Sequence, residues 1–384
     1  MGRSASWGGF RGGGLAWQPA AHNTFGWALL CRVSDKTMAG QTVASGRLWR
    51  VVFALSWCGL YPRVTKPLTP ALTGLHSAVI RAGNGCRSSP NMIVDCHTHI
   101  WESPDQLGSV DLGELPRGVR RQKLRLSPAG RAIWRTIPQA APEDHWQQTA
   151  SVDKVFVLGF KSRYLRAEVP NRYVADYVSR DPNRLIGFAG IDPSEDGAVE
   201  ELLAAHGDMG FRGFTVSPAN QDFHPADTRA MAVYAHAERL GMPVLFHPGG
   251  NFTDQSKLEY GRPYLLDEVC RAFPRLPIIV AQLGQPWIDE TVVLLGKHHK
   301  VYADVSGLLQ RPWQAYNALV AANEYGVIDK LLFGSDFPYT RAADCIEGLY
   351  SLNQMAQGTN LPVVPREALR GIVERDTLTL LGLA

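Results

Sequence analysis

Residues 92–101 read MIVDCHTHIW, a short apolar strand that ends in two histidines one residue apart. Side chains alternate between the faces of a strand, so Asp95, His97 and His99 are expected on one face and Cys96 and Thr98 on the other. Two neutral imidazoles rooted on a rigid strand can reach one cation without a loop having to order itself. A lone His-x-His also occurs on ordinary solvated strands. The pair therefore gains meaning only if further ligands stand at the ends of other strands.

The rest of the chain supplies such strands. Apolar strand cores are expected at 93–99, 155–160, 185–191, 213–217, 244–247, 278–283, 301–306 and 331–335. After the first they recur at roughly the thirty-residue spacing of a βα unit. Amphipathic helices are expected between them, at 171–180, 195–206, 227–240, 265–273, 287–297, 313–325 and 342–355. Eight such units predict an α/β protein of the (β/α)8 or TIM-barrel class rather than an open sheet. The interval 102–151 is too long for a simple connection, and its place after the first strand predicts a cap over the catalytic face. A last helical stretch, 366–383, is expected to close the far side of the barrel.

Length and composition fit this reading, since 384 residues with 45% hydrophobic content can bury a large core. The net charge of +3 averages two unlike segments. Residues 1–91 hold ten Lys and Arg against one acid, Asp35, whereas residues 92–384 hold 29 basic and 35 acidic side chains. An acidic body argues against nucleic acid as a partner, because phosphate binding needs clustered cations. Residues 1–91 show no sustained period of 3.6 or 2, and the apolar run 51–60 is far too short to span a bilayer. We expect translation to begin at Met92, with residues 1–91 a disordered or over-extended leader and 92–384 the functional barrel. The alternatives are a targeting segment and a functional tail. Three of the six cysteines (Cys96, Cys270, Cys345) fall in the body, no CxxC occurs, and a reducing, cytoplasmic location is the expectation.

In a parallel barrel the chemistry sits where the strands end. Four ends carry candidate ligands or acid/base groups: His97 and His99 on the first, His247 on the fifth (PVLFHPGG), Gln282 on the sixth (IIVAQLGQPW) and Asp336 on the eighth (LLFGSDFP). Strands one and eight are neighbours in a closed barrel and strand five lies across from them, so these side chains can converge. Three imidazoles and a carboxylate form an all N/O site, which suits zinc best, with manganese, iron or cobalt possible. Taken singly, His247 reads as a satisfied core histidine and Asp336 as a helix cap.

The stretches DCHTHIW, RGFTVSP, PVLFHPGG, AQLGQPW and LLFGSDFPY, spread over nearly the whole body, resemble the amidohydrolase superfamily. More closely, they are similar to the amidohydrolase-related family that includes aminocarboxymuconate-semialdehyde decarboxylase. The resemblance implies metal ligation by His97, His99, His247 and Asp336, a water as nucleophile or proton source, and a homodimer. Two positions depart from that pattern. Thr215 stands at the fourth strand's end, where members with two metals often place a bridging carboxylated lysine, so one divalent ion is expected. Gln282 replaces a histidine that normally helps activate water, and an amide cannot exchange a proton near neutral pH.

Weaker candidates surround these. Arg262, Arg311 and Arg341 could clamp a substrate carboxylate, although a solvated surface role suits each. Trp101 and Trp287 could form an apolar wall or pack in the core. Cys96 reads as a buried small hydrophobe. The expected activity is hydrolysis of a small carbonyl-bearing substrate (amide, ester or lactone), with Asp336 moving the proton. Non-oxidative decarboxylation of an unsaturated or aromatic carboxylate is the alternative, and a catalytically dead metal-binding barrel a third reading. Neither nucleic acid nor a membrane is expected as a partner.

Overall fold

The computed structural model describes residues 92–108, 121–126, 132–248, 253 and 255–384. The expectation for residues 1–91 lies outside them. Eight parallel strands form one ladder in chain order: β1 (Val94–His99), β2 (Lys154–Leu158), β3 (Leu185–Gly190), β4 (Gly213–Val216), β5 (Val244–Phe246), β6 (Ile278–Val280), β7 (Val301–Asp304) and β8 (Leu331–Leu332). β1 meets the chain that follows β8: the Cys96 amide donates to the Phe333 carbonyl at 2.9 Å, and the Asp336 amide to the His97 carbonyl at 2.9 Å. The result is a nearly closed TIM barrel, as expected from the strand spacing.

The helices that follow the strands include α1 (Pro142–Gln148), α2 (Asn171–Val178), α3 (Ala198–Gly207), α4 (Pro218–Gln221), α5 (Thr228–Leu240), α6 (Leu266–Ala272), α7 (Ile288–Lys297), α8 (Pro312–Glu324) and α9 (Ala342–Tyr350). Most strands bury both faces, which is why they read as continuous apolar runs rather than alternating ones. Val155, Val157, Phe214, Val244, Phe246, Val280 and Ala303 face the helices in one core cluster. Phe156, Leu158, Phe188, Leu245, Ile279, Ala281, Tyr302 and Leu332 fill the barrel interior in another.

The terminal helix expected at 366–383 is two helices, α10 (Arg366–Val373) and α11 (Thr377–Leu381), with Asp376 capping the second by accepting from the Thr379 amide. The break has a use. α10 packs its apolar face on α9, while Leu378, Leu381 and Leu383 turn under the barrel and join the interior cluster. The interval 102–151 contains an antiparallel hairpin (Arg121–Leu126 with Ala132–Thr136) and α1. Its return is tied to β1, where Trp101 bridges Ala140.

One expectation about β1 is corrected. Its pairing with β2 is regular at Val94 and Asp95, shifts, and resumes at Thr98 and His99. A bulge of this kind re-aims side chains, and such bulges gather next to active sites. Cys96 therefore lies with Val94 in the interior cluster rather than on the outer face. Asp95, which strict alternation would align with the histidines, lies between the two inward residues. It accepts from the Ser335 amide (2.9 Å) and the His97 amide (3.2 Å) at the seam between β1 and β8.

Candidate functional site

β1, β5, β6, β7 and β8 all deliver side chains to one point above the interior cluster. A nitrogen from each of His97, His99 and His247 lies within 4.8 Å of the others, a group that could hold a metal ion. Asp336 brings Oδ1 to 3.7 Å from His97 Nε2. The three histidines thus form one group, with Asp336 beside His97. His97 is fully buried and Asp336 only 4% exposed, while His99 and His247 are partly open.

The hydrogen bonds define which nitrogens are bare. His97 Nδ1 is 2.9 Å from Asp304 Oδ2, and a carboxylate accepts only, so Nδ1 carries the proton. His99 Nδ1 is 3.3 Å from the Leu158 carbonyl, so it too donates. In their neutral forms both imidazoles then present bare Nε2 atoms, and these stand 3.2 Å apart. Two lone pairs at that distance repel unless a positive charge lies between them. The spacing matches the roughly 3.3 Å edge between two ligands held 2.0–2.1 Å from a tetrahedral ion. A proton can also fill the gap. Burial alone would lower the pKa of His97, but the charge and hydrogen bond of Asp304 outweigh it and raise it. The same cannot hold for all three rings: burial, with the charge of His97, pushes His99 down to about 3 and His247 well below its ordinary value. Neutral imidazoles are what a cation requires, and the donor set fits a divalent ion.

Gln282 reaches the site by a backbone device. Ile279 and Ala281 point inward, so continued alternation would send Gln282 out. Instead β6 stops at Val280, and Gln282 and Leu283 take φ values of 54° and 48°. The turn carries Gln282 Nε2 to 3.5 Å from Asp336 Oδ2, while Gln310 Nε2 approaches the same oxygen at 3.3 Å. Gly307 makes room for this, since a Cβ there would meet Asp336 Oδ2 at 3.0 Å and Gln282 Nε2 at 3.1 Å. Two amides thus hold one carboxylate oxygen.

Thr215 is buried and spends its hydroxyl on the Gly159 carbonyl at 2.6 Å. Trp101 is 2% exposed, donates its Nε1 proton to the Pro138 carbonyl at 3.1 Å, and places its ring 6.5 Å from that of His99. It walls the site on the cap side. The three arginines meet other partners. Arg262 pairs with Glu290 beneath the Trp287 ring, Arg341 makes two 2.7 Å bonds to Asp344, and Arg311 is exposed with Nη1 3.4 Å from Gln285 Oε1.

Besides Gln310, two residues escaped the sequence reading. Asp304 ends β7 on the inward face, following Tyr302; the test that singled out Asp336, a polar residue closing an apolar strand, would have found it. His145 gives no such signal. It sits on α1 in the long insertion, fully buried, with Nε2 2.8 Å from Thr98 Oγ1 and Nδ1 2.7 Å from the Tyr177 hydroxyl. Thr98 donates onward to the Phe156 carbonyl at 2.6 Å, so the chain of donors is complete and His145 stays neutral, burial pushing its pKa down to about 3.

Among solved structures, a probable 2-pyrone-4,6-dicarboxylic acid hydrolase from Acinetobacter baumannii, with citric acid bound, superposes with a TM-score of 0.52 at 15% identity, covering 76% of this chain and 99% of that one. An uncharacterized TIM-barrel protein from Bordetella bronchiseptica gives 0.51 at 21% identity over 63% and 81%. A dihydroxybenzoic acid decarboxylase from Polaromonas sp. JS666, with bound manganese and the inhibitor 2-nitroresorcinol, gives 0.50 at 15% over 77% and 98%. These likenesses establish the shared fold. No curated protein matches the chain. The family model described as amidohydrolase matches residues 94–374, nearly the whole barrel from the His-x-His strand to α10, and the chain belongs to that family.

Proposed function

We propose that the protein is a mononuclear metal-dependent hydrolase acting on a small carbonyl-bearing substrate such as an amide, ester or lactone. The observation that carries the reading is the pair of bare Nε2 atoms 3.2 Å apart, with His247 and the Asp336 carboxylate converging on them. His97, His99, His247 and Asp336 would hold one divalent ion, with zinc suggested by the nitrogen-rich donor set and manganese by the decarboxylase relative. Such an ion supplies Lewis acidity toward a carbonyl oxygen and acidifies water. Thr215, committed to a backbone carbonyl, offers no bridge to a second ion.

The chain's own groups then divide the work. Asp336 turns a carboxylate oxygen toward the Nε2 side of His97, whereas the Asp304 carboxylate is taken up by donors on the Nδ1 side, so Asp336 takes the proton from the attacking water and returns it to the leaving group. Gln282 and Gln310 orient its second oxygen and cannot exchange protons themselves. Trp101 keeps one side apolar.

Decarboxylation is the second reading, favoured by the solved decarboxylase relative. A carboxylate substrate calls for a cation, and among the described residues Arg262 and Arg341 are already paired with carboxylates while Arg311 is exposed. This favours hydrolysis of a neutral substrate. Incubating the purified, metal-replete protein with lactones, esters, amides and aromatic carboxylates separates the two: a new acid supports hydrolysis, and release of carbon dioxide from a carboxylate supports the alternative. We further assign the protein to the cytoplasm, in line with three buried, unpaired cysteines. No helix among the described residues is long and apolar enough to cross a membrane. The homodimer expectation is read in the same purification by light scattering.

A further inference from the structure

We propose that Asp304 is a positioning residue for the site. Through one oxygen it fixes the His97 tautomer that leaves Nε2 bare, and through the other it holds the left-handed turn that aims Gln282 at Asp336. The inference rests on the metal-binding reading above and deepens it.

Asp304 is fully buried at the end of β7, and all the groups around its carboxylate are donors. Oδ2 receives the His97 Nδ1 proton at 2.9 Å. Oδ1 receives the Gln282 amide at 3.0 Å, the Ser306 amide at 3.0 Å and the Ser306 hydroxyl. One side chain therefore joins β1, the β6 turn and the β7 turn. Gly334 permits the close approach of β8, since a Cβ there would lie 2.9 Å from His97 Cβ and 3.6 Å from Asp304 Cβ. Both oxygens must accept at once, which asparagine cannot do. If its amide nitrogen faces His97, the imidazole must switch tautomer and protonate Nε2. If its oxygen faces His97, the amide nitrogen meets the donors from Gln282 and Ser306. A carboxylate that orients a ligand imidazole typically accounts for about 10- to 100-fold in metal affinity.

The test uses the full chain with zinc as the probe, its affinity read by competition with a chromophoric chelator. Asp304→Asn should weaken zinc binding by about 10- to 100-fold. Ser306→Ala removes one hydroxyl from Oδ1 and leaves the His97 contact, so it should shift affinity by less than the about tenfold lower edge of that range. A role in scaffolding alone would lower the melting temperature of both variants and leave zinc affinity equal to wild type, which overturns the proposal. Because Asp304→Asn could fail to fold, wild-type protein labelled with 15N-histidine provides a second reading. His97, assigned by its loss in His97→Gln, should carry its proton on Nδ1, and a proton on Nε2 in the zinc-loaded protein overturns the proposal. A wild type that takes up no zinc overturns this inference and the metal reading together, whereas zinc binding that is unchanged in Asp304→Asn overturns this inference alone.

Discussion

The two halves of the barrel mouth differ in what most of their buried polar side chains meet. At the ends of β2, β3 and β4 they satisfy backbone: Thr215 binds the Gly159 carbonyl, Asn171 brackets the amide and carbonyl of Gly190 (2.8 and 3.1 Å), and Gln221 serves Ser217, Lys161 and Ile191 at 2.7 Å each. At the ends of β1, β5, β6, β7 and β8 they meet one another, His97 with Asp304, His99 with His97, and Gln282 with Asp336. A buried polar group costs free energy unless it is paired. Pairing with backbone closes the question locally, whereas pairing among side chains leaves lone pairs facing a shared centre. Among the described residues, the histidine group that could hold an ion lies in the second half.

Breaking the second half should have the largest effect. His97→Ala, His247→Ala or Asp336→Ala should each lose most of the bound ion and lower turnover by more than the about 10- to 100-fold typical of changes outside the ligand set, as read by elemental analysis and initial rates. Next comes Gln282→Ala. Losing one hydrogen bond to a buried carboxylate costs about 1 to 3 kcal/mol, so turnover should fall roughly tenfold to a hundredfold, each tenfold being about 1.4 kcal/mol, with the ion retained. Gln282→His sharpens the point: if it is slower than wild type, the glutamine is a working part of the site, and if it switches on activity in an inert wild type, the dead-barrel reading stands.

Changes in the first half should affect stability and leave chemistry alone. Thr215→Val strands the Gly159 carbonyl and should cost about 1 to 3 kcal/mol in denaturant unfolding, with metal content unchanged. His145, which ties the insertion to β1 through Thr98, gives a pH signature. Its folded pKa of about 3 lies below the ordinary value of 6.5, so the unfolded chain binds the extra proton. Its contribution is therefore complete above pH ~6.5 and is lost as pH falls toward 3, by at most about 1.4 kcal/mol per pH unit. The stability gap between wild type and His145→Gln should narrow on acidification, and a gap that widens contradicts the buried neutral assignment. The smallest effect is expected outside both halves, where Arg262→Gln and Arg341→Gln remove solvent-screened ion pairs and should leave kcat/KM for a neutral substrate nearly unchanged.

What the sequence made legible follows the same division. All eight strands were readable because strands buried on both faces are apolar runs, and His97, His99, His247 and Asp336 were readable because each breaks such a run at its end. Strand ends were placed too late wherever the backbone leaves the ladder for a reason no residue type announces, as at Gln282, whose positive φ is imposed by tertiary contacts such as its amide's bond to Asp304. The β1 bulge was hidden for the same reason, so Asp95 and Cys96 were assigned to the wrong faces. Asp304 was legible in principle as an inward residue two after Tyr302. His145 was not, because its partners come from β1 and α2, and no local spacing brings them together.

One divalent ion, held by the β1, β5 and β8 side chains, should be required for activity. The direct measurement is metal content of the purified chain by elemental analysis, together with hydrolysis assayed before chelation, after it, and after stepwise return of the ion. Close to one ion per chain is expected, with activity lost on its removal and recovery that saturates at one equivalent. Two tightly held ions per chain, or full activity in the metal-free protein, would contradict it.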